Sequence, residues 1–180
     1  MLEKETKILD IDKEIIKKTI ADRGCSRSEP FLVTDSYRDS IDKHYHAQKK
    51  KVKLRVISTK PGCELIVKTK DHTTQTSKVC REESVMLSNE ASAERFLTSQ
   101  GLTKVFIKQK IRTQTVLGSV HFMIDEYASI PPLLEIEADS DDIIMQWITI
   151  LGLTTHPRCV GGRKKLAAHY GLSVDDALMP

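Results

Sequence analysis

The sequence predicts an α+β fold: an antiparallel sheet curled into a β-barrel, or tunnel, with a charged interior and helices packed outside. Three observations carry this. Most of the chain alternates apolar and charged residues with the period of a strand. The charges are sorted by sign, with cations on the central strands and paired acids on the first and last. The remaining stretches are amphipathic helices of the kind that cover an outward-facing apolar sheet.

The first strand is MLEKETK, where two-residue spacing puts Glu3, Glu5 and Lys7 on one face. From Asp10 to Arg23, Ile11, Ile15, Ile16 and Ile20 fall at helical spacing and Gly24 supplies a stop. Region 31–46 shows no clear period. VKLRVI and ELIVKTK then set Val52, Leu54, Val56, Leu65 and Val67 against Lys51, Lys53, Arg55, Lys68 and Lys70. The Thr- and Ser-rich stretch from Asp71 to Lys78 reads as a mobile loop able to close over the tunnel. CREES extends the charged pattern with Arg81 and Glu83.

Ser88 reads as the N-cap of a short helix carrying Ala91, Phe96 and Leu97 and closed by Gly101. In KVFIKQKIRT, Val105, Ile107 and Ile111 oppose Lys108, Lys110 and Arg112. In SVHFMIDEY and PLLEIEAD, Phe122, Ile124, Leu134 and Ile136 oppose Asp125, Glu135 and Glu137. Ser140 caps a third helix with Asp141 and Asp142 in its first turn, where the helix dipole favours anions. It carries Ile143, Ile144, Trp147, Ile148 and Leu151, and Gly152 ends it. A last helix runs from Arg163 to Tyr170. No linker divides the chain, so residues 1–180 read as one domain.

A sheet with one wet face also alternates. The sorting of charge argues against that here, because like charges on neighbouring strands repel. A row of adjacent cations needs a polyanion, and paired carboxylates suit Mg²⁺ or Mn²⁺. A metal-bound polyphosphate satisfies both. Strands converging on such a ligand turn their charged rows inward and leave the apolar rows to helices.

The 180 residues, 39% hydrophobic and 29% charged, suit a soluble globular chain. A formal charge of +3 is too mild to argue for nucleic acid or a membrane surface. There is no apolar run of membrane-spanning length and no secretory signal pattern. Cys25, Cys63, Cys80 and Cys159 are scattered, as expected of reduced thiols in a cytoplasmic protein. His44 and His46, beside Lys49 to Lys51, read as a solvated loop rather than a metal site, and Trp147 as core.

The residues in question resemble the CYTH superfamily, also called triphosphate tunnel metalloenzymes. Its N-terminal ExExK strand corresponds to Glu3-Lys4-Glu5-Thr6-Lys7. In order there follow KLR (Lys53 to Arg55), ELIVKTK (Glu64 to Lys70), KxR (Lys110 to Arg112), and Gly118 to Glu137, which resembles the family's hairpin ending in FLEIE. The likeness spans residue 3 to about residue 151 and is nearest to the branch resembling class IV adenylyl cyclases.

The resemblance implies an antiparallel eight-stranded tunnel that binds a triphosphate and uses divalent metal. It places Glu3, Glu5, Glu135 and Glu137, with Asp125 as a further candidate, at metal-binding positions. Lys7, Lys53, Arg55, Lys68, Lys110 and Arg112 fall at phosphate-binding positions, with Lys70 and Arg81 less securely aligned. Glu3, Glu5, Lys7, Glu135 and Glu137 are the candidate catalytic group. The family's Gly-Leu-Gly turn is replaced by Ser129-Ile130-Pro131, His121 and Met123 stand where relatives often carry basic residues, and GGRKKLAAHY replaces a Ser-Tyr pair, with Arg163, Lys164 and Lys165 reading either as a cation supply or as a solvated helix end.

The expected activity is divalent-metal-dependent hydrolysis of a triphosphate: tripolyphosphate, ATP or thiamine triphosphate. Hydrolysis needs only the tunnel and metals. Cyclisation of ATP to cyclic AMP and pyrophosphate is the alternative, and it also needs a base pocket. Aromatics are only 5% of the chain, and Phe31, Tyr37 and Tyr45 are the candidates to line one. A non-catalytic polyphosphate or nucleotide binder is a third reading, opposed by the two acid pairs. Exposed apolar strand edges would support a homodimer.

Overall fold

The computed structural model describes residues 2–24 and 28–173; Cys25 lies outside them. The elements in chain order are β1 (Leu2–Ile8), α1 (Lys13–Ala21), β2 (Phe31–Asp39), α2 (His44–Ala47), β3 (Lys50–Ile57), β4 (Cys63–Thr73), β5 (Lys78–Leu87) and α3 (Glu90–Ser99). They continue with β6 (Thr103–Leu117), β7 (Val120–Glu126), β8 (Leu133–Ala138), α4 (Asp141–Ile150), β9 (Arg158–Cys159) and α5 (Arg163–His169).

All strand pairings are antiparallel, in the order β5-β4-β3-β2-β6-β7-β8-β1-β9, and β5 also pairs with β1. That last pairing closes eight strands into a barrel, with β9 added beside Lys7 and Ile8 of β1. Closure pairs each of the eight barrel strands on both sides, and β9 ends the strand order. No described helix is long and apolar enough to cross a membrane.

The apolar rows face outward, as expected. Ile8, Phe122, Ile124, Leu134 and Ile136 pack against Ile16 and Ile20 of α1 and Ile144 and Ile148 of α4. Each such side chain, fully buried, contributes roughly 1.5–3 kcal/mol. Trp147 meets Phe122 edge-on in this layer, so it is core. Helix α3 covers Val52, Leu54 and Cys63 through Ala93 and Leu97. Helix α5 packs through Leu166 and Ala167 on Leu9, Ile130, Leu133 and Cys159. Ile130 thereby anchors the turn that lacks the family's glycines.

Side-chain caps fix the helix starts. Asp12 accepts from the Glu14 and Ile15 amides, Asn89 from Ser92, and Ser140 from Ile143. The cap of α3 is therefore Asn89, one residue beyond Ser88. Two further expectations change. Region 31–46 contains a full central strand, β2, and a one-turn helix at His44–Ala47. The stretch 71–78 is no long loop: β4 runs to Thr73 and β5 starts at Lys78. The turn between them is tied by the Thr74 hydroxyl, which accepts from the Thr76 and Ser77 amides. Cys63, Cys80 and Cys159 are buried free thiols.

Candidate functional site: a charged tunnel

The inward rows enclose a cavity of about 530 Å³, within the range that takes a drug-sized ligand. Fifteen Lys and Arg residues line it against six Asp and Glu. That excess is larger than the whole chain's formal charge of +3, so the outer surface is on balance acidic and the positive field is focused inside.

Directly opposed residues share a face of the sheet, and the register shows how the site is assembled. Across β1 and β8, Glu5 faces Glu137 and Lys7 faces Glu135. Across β1 and β5, Glu5 faces Lys78. Across β3 and β4, Lys51 faces Lys68, and across β2 and β6, Asp35 faces Lys108. Glu3, Glu5, Lys7, Lys53, Arg55, Lys68, Lys70, Lys110, Arg112, Glu135 and Glu137 all line the one cavity, Lys70 at an exposed edge of it.

The charges form three groups. In the first, Lys68 Nζ lies 2.6 Å from Glu3 and 2.8 Å from Glu5, and Lys78 Nζ lies 2.7 Å from Glu5. Lys7 joins this group to Glu135, 2.5 Å away. In the second, Asp125 is fully buried and accepts from Arg112 Nε and Nη2 at 2.6 and 2.8 Å and from Lys110 at 2.6 Å. In the third, Asp35, also fully buried, accepts from Arg55 Nε at 2.8 Å, with Lys108 and Lys53 at 3.7 and 3.9 Å. Buried ions of this kind persist only when paired.

Electrostatics separate these carboxylates. Burial would raise Asp35, but Lys53, Arg55 and Lys108 outweigh it and hold the acid far below the usual range. Burial likewise opposes ionisation of Glu5 and Glu135, and the neighbouring lysines, with Arg112 at Glu135, hold both ionised. Glu137 goes the other way. Burial, then the like charges of Glu3 and Glu135, push it up to about 7. Its side chain has no ion pair or hydrogen bond among the described residues. Lys53 is pushed down to about 7 by burial and Arg55, and Lys51 down to about 8 by burial and Lys78.

Two expected site residues sit elsewhere. Arg81 is exposed on the outer face with Glu83, and Glu82 lines the cavity in their place. Strand β5 alternates regularly, with Lys78, Cys80 and Glu82 opposite Glu5, Glu3 and Lys68 on the inner face, and this turns Arg81 outward. Asp125 lies behind the lining, where Arg112 and Lys110 take three of its roughly four acceptor sites. It orients those two cations. Met123, in place of a basic residue, touches Arg112 Nη1 through its sulfur at 3.0 Å.

Several lining residues had no distinct sequence signal: Lys78, Glu82, Tyr127, Gly161, Gly162 and Leu166; Arg163, Lys164 and Lys165, which read either as site cations or as a solvated helix end, also line the cavity. Asp35, the counter-ion behind the lining, had no such signal either. Tyr37, on the unrecognised β2, stacks on Phe106 with ring centroids 4.2 Å apart. Phe31 and Tyr45 are not in the lining.

The donors available to a divalent cation are the oxygens of Glu3, Glu5, Glu135 and Glu137. Among the described residues no three His, Cys, Asp or Glu side chains stand ready to ligate, since Lys68, Lys78 and Lys7 hold three of these carboxylates. The unpaired Glu137, destabilised by its acidic neighbours, is the place where a hard cation would relieve the most repulsion. The donor set fits such an ion.

The CYTH domain family model matches residues 1–148. The chain belongs to the CYTH family. Solved structures of similar fold include a candidate adenylate cyclase from Vibrio parahaemolyticus, with TM-score 0.75 and 15% identity over 93% of this chain and 98% of the other. A Pyrococcus horikoshii protein gives TM-score 0.71 and 19% identity, covering 85% of this chain and 92% of that one. An adenylyl cyclase candidate from Hippeastrum, described as having a dominant triphosphatase activity, gives 0.66 and 10%, covering 96% of each. At these identities the likeness speaks to the fold. Among curated proteins no sequence match was found. The CYTH tunnel of this chain thus combines the family's closed barrel with a C-terminal helix whose first turn borders the cavity.

Proposed function

We propose that this CYTH tunnel binds a triphosphate and hydrolyses it with the help of a divalent cation, Mg²⁺ or Mn²⁺. The observation that carries the reading is the large excess of cations on the wall of an enclosed cavity. A polyanion of four to five charges is the ligand that such a lining stabilises best, because the cations are already fixed by buried counter-ions and need not reorganise.

In this reading Lys53, Arg55, Lys68, Lys110 and Arg112 hold the phosphates. Asp35 and Asp125 act through them as positioning residues. Glu3, Glu5, Glu135 and Glu137 would hold the metal, which supplies charge neutralisation and lowers the pKa of water. Lys7 bridges Glu5 and Glu135 and sets their orientation. Water excluded by the tunnel wall strengthens each of these interactions.

The test is release of phosphate from tripolyphosphate, ATP and thiamine triphosphate with Mg²⁺ or Mn²⁺, assayed alongside cyclic AMP. Phosphate release that disappears with EDTA supports hydrolysis. Cyclic AMP as the main product from ATP replaces hydrolysis with the cyclase reading. Tight binding without either product leaves a polyphosphate binder.

A further inference from the structure

We propose that Tyr127 is a further ligand-binding residue of the tunnel, whose hydroxyl donates a hydrogen bond to a phosphate oxygen among the cations that attract it. This rests on the triphosphate reading above and adds to it a residue that carries no charge.

Tyr127 directly follows β7 and lines the cavity. Its ring packs against the apolar layer beneath α5 that contains Leu9, Ile130, Leu133 and Leu166. Packing therefore holds the ring and leaves the hydroxyl to the ionic interior. There it lies within electrostatic reach of one cation from each charged group: Lys7 of the first, Arg112 of the second and Lys108 of the third. It also feels Asp125 and Glu135. The phenol thus sits where the three groups converge.

This hydroxyl makes no hydrogen bond among the described residues, although two carboxylates are near. Lys110 and Arg112 hold Asp125, and Lys7 and Arg112 hold Glu135. The nearby lysines and arginine are donors themselves and cannot accept from it. Polar groups removed from bulk water are almost always hydrogen-bonded. A phenol turned toward three cations inside a cavity therefore calls for an acceptor brought from outside. An anion drawn in by those cations carries such oxygens to that point.

The hydroxyl does what the ammonium groups do not. A lysine is a compact point charge with rotatable donors, whereas an O–H on a packed ring is directional and fixed in advance. Burial, with the charges of Asp125 and Glu135, outweighs Lys108 and Arg112 and keeps the phenol protonated. A neutral donor also adds no repulsion to a wall already crowded with positive charge.

The test is calorimetric titration of tripolyphosphate in EDTA, where nothing turns over, into the wild type and Tyr127→Phe, with thermal melts of both ligand-free proteins. Tyr127→Phe keeps the ring that packs beneath α5 and removes only the oxygen, so the ligand-free variant should melt with the wild type. Its affinity should fall about tenfold or more, as for a hydrogen bond to a charged acceptor. The ratio of the two affinities should be the same at pH 6 and pH 8, because the phenol stays protonated at both. Unchanged affinity, or a loss matched by a lower Tm of the ligand-free variant, overturns the proposal and leaves Tyr127 to packing while the triphosphate reading stands. A ratio that closes at pH 8 overturns the neutral donor. A wild type that fails to bind tripolyphosphate overturns the triphosphate reading itself, and the role of Tyr127 with it.

Discussion

Glu5 and Glu137 face each other directly across the β1–β8 ladder, yet the two carboxylates live in opposite environments. Glu5 is held by Lys78, Lys68 and Lys7. Among the described residues Glu137 has no ion pair, and burial with the like charges of Glu3 and Glu135 outweighs the pull of Lys68. The pair therefore divides into an acid held by direct ion pairs and one held by none among the described residues.

That division predicts a stability signature. The folded-state pKa of Glu137, about 7, lies above its ordinary value of 4.5. The folded protein thus binds more protons than the unfolded chain between these values, and the contribution is lost as pH rises through 7. Glu137→Gln should be no less stable than wild type at pH 8 and should lose the part of the pH dependence between about 4.5 and 7. Thermal melts across that window check it. The same variant should release phosphate at least about tenfold more slowly while staying folded.

Lys53 predicts proton uptake on binding. With its pKa near 7, it is mostly neutral at pH 8, and an arriving polyanion favours its charged form. Tripolyphosphate binding at pH 8 should take up protons, and binding at pH 6 should take up almost none from this group. Calorimetry in buffers of different ionisation enthalpy measures the difference. In Lys53→Met the uptake at pH 8 should shrink.

Asp125→Asn should cost about 3–5 kcal/mol of stability, since Arg112 and Lys110 would remain buried without their counter-charge. Tripolyphosphate supplies new counter-charge to those cations. The ligand-induced rise in Tm should therefore be larger in the variant than in wild type, a result that loss of packing alone would not produce.

Arg81 and Lys68 make a paired control. Lys68→Ala should weaken tripolyphosphate about tenfold or more, as expected for a charge-assisted contact. Arg81→Ala, on the outer face, should leave the affinity unchanged. Direct titration of both variants decides it.

Strands β1 and β8 were legible because EKETK and LLEIE alternate without interruption, and each apolar member finds a helix outside. Strand β2 was not. In FLVTDSYRD the outward row includes Thr34 and Ser36, so the usual apolar marker is missing, and the inward Asp35 and Tyr37 take their meaning from β3 and β6. The segment Arg81-Glu82-Glu83 is charged on both faces, so alternation could not choose the inner one; the pairing of Glu82 with Lys68 did. The start of α5 shows the same limit. Arg163 to Lys165 read equally as a wet helix end until Leu166 and Ala167 are seen docked on Leu133 and Cys159.

Strand β1 has neighbours on β5, β8 and β9, all of them distant from it along the chain. Segments far apart in sequence must meet before the amide groups of β1 are matched, a topology that slows folding. Because Glu3, Glu5 and Lys7 ride on that same strand, barrel closure and completion of the ionic constellation are a single event. A half-assembled chain would carry no half-working centre.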